Sequence, residues 1–174
     1  MSNPKFTKAE VDRILDGRLH SPIQDVVGDN YTSGSPLAMS ADTEYDFVCN
    51  GATRNFKSFP ESITNMWNTT TNITELSEVD DTEMIVATVS FTFDPSVSAA
   101  GIITLQPYAN EDTPIPFKTR IVSYKGNAER VSADVFFYAG SETGFDIKNK
   151  GVFFKVESTG AGNLYDTTLE IYRT

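Results

Sequence analysis

The sequence predicts an all-β protein, an antiparallel β-sandwich of the jelly-roll type with a short N-terminal helix and an extended arm. Apolar and polar residues alternate over strand-length stretches, and turn-forming residues separate these stretches. Between them the sequence has no helical segment that could carry a parallel crossover connection. About eight strands without crossovers are typical of two packed antiparallel sheets, and the jelly roll is the common eight-stranded form.

The first residues of the chain carry a helix-start signal. The motif TKAE at residues 7–10 matches a capping box, in which the threonine hydroxyl and the glutamate side chain each bond to the other residue's backbone amide. Val11, Ile14 and Leu15 follow at helical spacing. We therefore expect a helix over residues 7–16. It is too short to be stable alone and needs a surface on which to dock.

Residues 20–39 lack regular periodicity and are rich in glycine, proline and asparagine, which is typical of an irregular connector. We predict a division into an N-terminal helical arm and connector, residues 1–38, and a jelly-roll β-sandwich domain, residues 39–174. Two arrangements remain open for the arm. It either packs on its own domain or reaches a partner.

The best strand signal lies at residues 85–93, where apolar residues alternate with threonine and serine until Asp94 and Pro95 end the pattern. Such alternation predicts a strand with one face in a core. Further segments with strand-like patterns lie at residues 43–49, 63–76, 101–109, 115–124, 130–139, 152–157 and 164–173. The glycine-rich stretch at residues 159–163 predicts a hairpin turn before the last strand.

Two aromatic doublets suggest an oligomer. Neighbouring side chains on a strand point to opposite faces, so Phe136, Phe137 and Tyr138, and likewise Phe153 and Phe154, place rings on both sides of their sheets. One ring of each doublet can fill the core. The other must lie under a loop, under the arm or against another subunit, because large exposed apolar patches are uncommon on monomers. We take these five residues as the candidate oligomer interface.

Composition narrows the possible partners. The net charge is −10, from 24 acidic and 14 basic residues, so phosphate backbones are repelled and nucleic-acid binding is disfavoured. The apolar runs are far shorter than the roughly 20 residues that a membrane helix needs, and no secretory signal precedes the first strands. We expect neither a nucleic acid nor a membrane as partner.

The sequence offers little for catalysis or for a cofactor. His20 is the only histidine and lies in the connector, so a triad or a multi-histidine metal site would depend on one loop residue. Cys49 is the only cysteine and is expected to be a small buried residue. We therefore predict a protein that is not an enzyme, with no catalytic, cofactor-binding or metal-binding residues.

Two acidic clusters are the remaining candidates for cation binding or for paired-carboxylate chemistry. Neither has the glycine-bearing spacing of a calcium loop, and the spacing of a glycosidase pair is a property of the folded chain. We interpret them as solvated turns and edge charges. The clusters are Asp42, Glu44 and Asp46, and Glu78, Asp80, Asp81 and Glu83.

The end of the chain resembles a known family. Residues 151–157 (GVFFKVE), a glycine-rich turn and residues 169–174 (LEIYRT) look like the C-terminal strand pair of small jelly-roll virion proteins of tailed bacteriophages, and residues 84–95 look like their earlier core strand. These proteins are similar in fold to the tumour necrosis factor and C1q heads. The resemblance implies a homotrimer located in the virion, assembled in the host cytoplasm, that decorates a capsid or tips a fibre.

Three functions compete on this basis. The first is a capsid decoration or cement protein, bound as an oligomer to the outer surface of a phage head, with itself and the major capsid protein or another virion protein as partners. In this reading the arm residues Phe6, Val11, Ile14 and Leu15 dock on the capsid. The alternative is a fibre-tip or receptor-binding module that holds host surface glycans. A sugar-active enzyme comes last, because no residues converge on a reaction.

Overall fold

A computed structural model describes residues 24–27, 31–51, 53–54, 66–109, 113–116, 119–142 and 145–173 of the chain. Strands dominate this part of the molecule, and its one helix, α1 (Ile147–Lys150), is a single turn. None of its helices is long and apolar enough to cross a membrane. The strands are β1 (Gln24–Val27), β2 (Leu37–Met39), β3 (Glu44–Asp46), β4 (Thr53–Arg54), β5 (Trp67–Asn68), β6 (Ile73–Thr74), β7 (Met84–Pro95), β8 (Gly101–Ala109), β9 (Thr113–Pro114), β10 (Arg120–Tyr124), β11 (Glu129–Tyr138), β12 (Ser141–Glu142), β13 (Phe145–Asp146), β14 (Val152–Ser158) and β15 (Gly162–Arg173).

Two antiparallel sheets form the sandwich. The first sheet has six strands in the order β11–β7–β15–β1–β4, with β2 pairing beside β1 on the same long strand β15. The second sheet has the order β10–β8–β14–β3, with β9 paired to β8. Strands remote in sequence are neighbours, since β7 pairs with β15 and β8 with β14. This arrangement is that of a jelly roll, and it confirms the predicted all-β fold class.

The core lies between the two sheets, and alternate residues of each long strand point into it. On β7 the inward residues from Ile85 to Phe93 are all buried. Phe93 meets Tyr124 of the second sheet with 4.9 Å between ring centroids, and Phe47 meets Phe91 at 6.2 Å. Burial of such a side chain contributes about 1.5–3 kcal/mol, so the alternation seen in the sequence is a direct consequence of this packing.

The predicted connector contributes two strands to the first sheet. Within residues 20–39, β1 pairs with residues 168–171 of β15 and β2 pairs with residues 162–164. A bulge in β15, where Asp166 has a φ of 51°, separates these two pairings. Strands of three and four residues are too short to show an alternating pattern, which is why the sequence did not reveal them. The predicted helix at residues 7–16 lies outside the described residues, and the domain division stays a prediction.

Other element boundaries also differ from the sequence pattern. The segment predicted as one strand at residues 115–124 contains only β10, from residue 120 onward, and the two-residue strand β9 precedes it. The segment at residues 63–76 contains the hairpin of β5 and β6. The helix α1 was not expected. Its start is capped by Asp146, whose side chain accepts a hydrogen bond from the backbone amide of Asn149.

Candidate interaction surface

The outer face of the first sheet carries a cluster of apolar side chains at one end, which we call the aromatic patch. Strand register builds it from three neighbouring strands: Phe136 on β11 is paired with Val86 on β7, and Val86 is paired with Tyr172 on β15. Directly opposite pairs on one face of a sheet have side chains in contact distance. One further pair, Tyr138 with Met84, completes the patch.

The patch leaves large rings open to solvent. Phe136 is 38% exposed and Tyr138 is 49% exposed, whereas Val86, on the same outer face, is only 1% exposed. Val86 lies between its paired neighbours Phe136 and Tyr172 and is buried although it points away from the core. Large exposed rings grouped on the outer face of a sheet are typical of a surface that packs on a partner.

Arg120 borders the patch at the corner where the two sheets meet. Its Nε donates a hydrogen bond to the backbone carbonyl oxygen of Asp134 at 2.6 Å. Its guanidinium carbon lies 5.9 Å from the centroid of the Phe136 ring. This is within the distance at which a cation is attracted to the face of an aromatic ring. The contact therefore helps to orient the exposed ring of Phe136.

Polar rows continue the same face beyond the patch. The hydroxyl of Thr88 donates to the carboxylate of Asp134 at 2.7 Å, and the hydroxyls of Ser90 and Ser132 are 2.9 Å apart. Arg130 then bonds to Thr168 on the neighbouring edge of β15. An apolar centre beside hydrogen-bonded polar groups is the usual anatomy of a protein–protein interface.

The second doublet, Phe153 and Phe154, lies on the second sheet, and its outward ring has different surroundings from Phe136. Phe154 is fully buried and stacks on Trp67 with 6.2 Å between ring centroids. Phe153 points outward from the second sheet, where its ring stacks on Tyr108 at 5.4 Å. The ammonium group of Lys155 lies 4.6 Å from the centroid of Tyr108. The outward ring of this doublet is thus packed against its own chain.

The structure therefore places the five candidate interface residues in three different environments. Phe137 and Phe154 fill the core, which confirms that one ring of each doublet points inward. Phe136 and Tyr138 lie together in the aromatic patch, and Phe153 is on the opposite outer face. Sequence reasoning missed the other patch members, although their outward positions in β7 and β15 follow from the alternation. The candidate arm residues, Phe6, Val11, Ile14 and Leu15, lie outside the described residues.

The remaining candidate residues from the sequence are Cys49, His20 and the two acidic clusters. Cys49 is buried, as expected, and its backbone carbonyl accepts a hydrogen bond from the indole nitrogen of Trp67 at 2.8 Å. His20 lies outside the described residues. Among those described, no group of three or more histidine, cysteine, aspartate or glutamate side chains could hold a metal ion.

The acidic clusters bond within the chain. In the turn before β7, Asp81 forms an ion pair with Lys148 of α1. The hydroxyl of Thr82 donates to Asp80 at 2.6 Å, and its backbone amide donates at 2.9 Å. These bonds hold the pKa of Asp80 below its ordinary value, the hydroxyl making the larger contribution. In the other cluster, Glu44 accepts from the hydroxyl of Tyr108 and lies 3.7 Å from Lys155.

Comparison with known proteins gives distant likenesses among solved structures. No protein-family model matches the chain, and no curated protein does. Among solved structures, the chain is similar to the PRD1 vertex protein P5, with 13% sequence identity, a TM-score of 0.47, and coverage of 88% of this chain and 71% of that chain. It is also similar to the cowpea mosaic virus top component, naturally occurring empty particles, with 10% identity, a TM-score of 0.33, and coverage of 88% and 81%. Likenesses this distant carry no information on function.

Proposed function

We propose that this protein is a non-enzymatic virion structural protein, a capsid decoration or cement protein that binds the outer surface of a phage head as a homotrimer. The observation that carries the proposal is the aromatic patch, in which Phe136 and Tyr138 stay open to solvent on the outside of a jelly-roll sheet. The segments that resemble small phage virion proteins supply strands β7, β14 and β15. These are three long strands in the middle of the two sheets.

The size of the patch suits self-association. Complete burial of one aromatic side chain contributes about 1.5–3 kcal/mol, whereas association costs roughly 4–15 kcal/mol in lost translational and rotational freedom. One ring therefore cannot hold two copies together. The exposed rings of Phe136 and Tyr138, with the half-buried Met84 and Tyr172 beside them, supply several such contributions from every copy, and the polar border offers hydrogen bonds around them.

Three-fold symmetry gives Phe136 and Phe153, the outward phenylalanine rings of the two doublets, different environments in the proposed trimer. A ring of three protomers cannot use the self-complementary contact of a two-fold dimer, so each patch faces either the three-fold axis or a different surface of the next protomer. Phe136 and Phe153 lie on opposite outer faces of the sandwich. We place Phe136 and Tyr138 at the centre of the trimer. In that arrangement Phe153 points away from the three-fold axis, and it joins the interface only in the other arrangement, where the patch faces the next protomer.

The oligomer is tested by the change Phe136→Glu, with Ile121→Glu as the matched control. Ile121 is 69% exposed on the outer face of the second sheet, so both changes put a charge on an exposed apolar position. Light scattering after size-exclusion chromatography should give three times the 19.2 kDa chain mass for the wild type and the control, and one chain mass for Phe136→Glu. The circular dichroism spectrum should not change. A wild-type mass of one chain, or identical masses in the two variants, would contradict the proposal.

Capsid docking is tested by truncation. Deletion of residues 1–23 stops just before β1 and so preserves its pairing with β15. The truncated protein should remain folded but should no longer co-sediment with undecorated phage heads. A full-length variant with Ile14→Ser and Leu15→Ser should lose binding as well, because two of the apolar residues proposed to dock on the capsid are then polar. Unchanged binding of both proteins would show that the arm does not dock on the capsid. Unfolding of the truncated protein would show that residues 1–23 are part of the folded domain.

Location on the particle separates decoration from the fibre-tip alternative. Gold-labelled antibody against the protein should mark the head of purified particles in electron micrographs. Labels at the tail tip would contradict the decoration role and favour the receptor-binding module.

A further inference from the structure

A groove of about 240 Å³ opens where β3, the hairpin of β5 and β6, and β14 meet. It lies beside the second sheet, on the opposite outer face from the aromatic patch. One wall comes from the chain at the end of β3, another from the turn of the hairpin, and the third from the second aromatic doublet. The lining residues are Asp46, Phe47, Val48, Thr71, Asn72, Ile73, Phe153 and Phe154.

Phe153 gives the groove a rigid aromatic wall. The ring is half-buried and stacks on Tyr108 with an angle of 22° between the ring planes. Tyr108 is itself held by its hydroxyl bond to Glu44 and by the ammonium group of Lys155. A ring supported in this way needs little further ordering when a ligand packs against it, which lowers the entropic cost of binding.

Polar groups stand on the other two walls. Oδ1 of Asn72 accepts a hydrogen bond from the backbone amide of Cys49 at 2.9 Å, which fixes the side-chain amide. Within the described part of the chain, no hydrogen bond uses Nδ2 of Asn72. Asp46 is exposed, and no ion pair or hydrogen bond to described residues occupies its carboxylate, since Lys155 pairs with Glu44 instead. The groove thus combines one donor and one acceptor with an aromatic face.

We propose that this groove binds a single pyranose ring of a neutral glycan. One face of a pyranose carries C–H groups that pack on the electron-rich face of an aromatic ring, here Phe153. Its hydroxyls can donate to the carboxylate of Asp46 and accept from the amide of Asn72. The volume is below the roughly 300–1,000 Å³ of pockets for drug-sized ligands, so one ring fits and a longer ligand must extend outside. This binding goes beyond the proposed capsid role and does not depend on it.

Charge restricts the class of sugar. The chain has a net charge of −10, and Asp46 adds a carboxylate inside the groove. The ammonium group of Lys155 lies 5.9 Å from the centroid of Phe153, but Glu44 already balances its charge at 3.7 Å. An anionic sugar would therefore be repelled by the net charge and by Asp46. Neutral hexoses are therefore favoured over uronic or sialic acids.

The binding can be measured by saturation-transfer NMR on the full chain with methyl β-D-glucopyranoside, methyl β-D-galactopyranoside and methyl α-D-mannopyranoside as probes. At least one glycoside should receive saturation, most strongly at its ring C–H protons. In amide spectra of the labelled protein, the same glycoside should shift the signals of residues 71–73. Methyl β-D-glucuronide should bind more weakly than the neutral sugars.

Matched variants test whether the sugar binds in the groove. Phe153→Leu removes the aromatic face and should weaken binding about three- to tenfold, as should loss of the charged acceptor in Asp46→Asn. The controls are Ile121→Ala, an exposed apolar side chain at the far edge of the second sheet, and Glu170→Gln, an exposed carboxylate on the first sheet. Neither control should change sugar affinity.

No saturation with any neutral glycoside, or equal affinities for the groove variants and their controls, would overturn the proposal. A tighter complex with the glucuronide would also overturn it. Asp46 is not part of the proposed trimer interface, so Asp46→Asn should keep the wild-type mass. Loss of sugar binding and loss of the trimer are therefore observed independently.

Discussion

The backbone amide of Val152 donates a hydrogen bond to the side-chain hydroxyl of Thr74, with 2.7 Å between nitrogen and oxygen. This bond joins the hairpin of β5 and β6 to the first residue of β14, the elements that form two walls of the groove. Thr74 is buried, so water does not compete for the bond. The shape of the groove therefore depends on a contact between residues 78 positions apart in the chain.

Thr74→Val should destabilise the protein. The change keeps the shape of the side chain but leaves the buried amide of Val152 without its acceptor, which costs about 1–3 kcal/mol. Urea denaturation at fixed protein concentration measures the free energy of unfolding. Thr71→Val, at an exposed position of the same hairpin, is the control and should change it little. Equal stabilities of the two variants would contradict the importance of this bond.

Thr167→Val should have the opposite effect. Thr167 is fully buried, and its hydroxyl oxygen has no hydrogen-bond partner among the described residues. Replacing an unpartnered buried hydroxyl by a methyl group removes a desolvation cost, so the free energy of unfolding should rise by about 1 kcal/mol. Thr88→Val, which loses a hydrogen bond to Asp134, should not be stabilised. A marked loss of stability in Thr167→Val would mean that a buried water satisfies this hydroxyl.

Gly151→Ala should be among the most destabilising single changes at this junction. Gly151 has a φ of 70°, and an added Cβ would fall against Cγ2 of Ile73 and the backbone carbonyl oxygen of Thr74. With a ψ of −178°, this backbone conformation is essentially restricted to glycine and costs a residue with a side chain about 1–3 kcal/mol, and overpacking adds about 1–3 kcal/mol. Gly34→Ala is the control, since its nearest neighbour would be 3.9 Å away. The thermal midpoint should fall in the first variant only, and similar midpoints would refute the steric account.

The carboxyl of Asp80 should titrate below an ordinary aspartate, because the hydroxyl and then the amide of Thr82 stabilise its charged form. A folded-state pKa below the unfolded one gives a stabilising contribution that is present above the unfolded pKa and disappears as the pH falls through the folded pKa. Thr82→Ala removes the hydroxyl, so the pKa of Asp80 should rise. NMR titration of the Asp80 carboxyl in the wild type and in Thr82→Ala measures the two pKa values. An unchanged pKa in Thr82→Ala would exclude the hydroxyl as the main cause.

The long strands could be predicted because their information is local. Each inward residue of β7 must be apolar, while the outward Thr88, Ser90 and Thr92 tolerate water, so the alternation up to residue 93 is visible without knowledge of any partner. The predicted segment at residues 101–109 matches the bounds of β8 for the same reason. Short strands carry no such pattern. The pairing of β1 and β2 depends on hydrogen bonds that β15 supplies from the other end of the chain.

The aromatic doublets show most clearly which features follow from the local sequence and which depend on tertiary contacts. The local sequence is enough to predict that each doublet points one ring into the core and one away from it, because neighbouring side chains on a strand face opposite ways. The surroundings of the outward rings depend instead on tertiary contacts. Phe153 is half-buried because register places Tyr108 beside it, whereas Phe136 is paired with Val86 and is more exposed. Cross-strand neighbours are set by the pairing of distant segments, and a pattern within one strand does not contain that information.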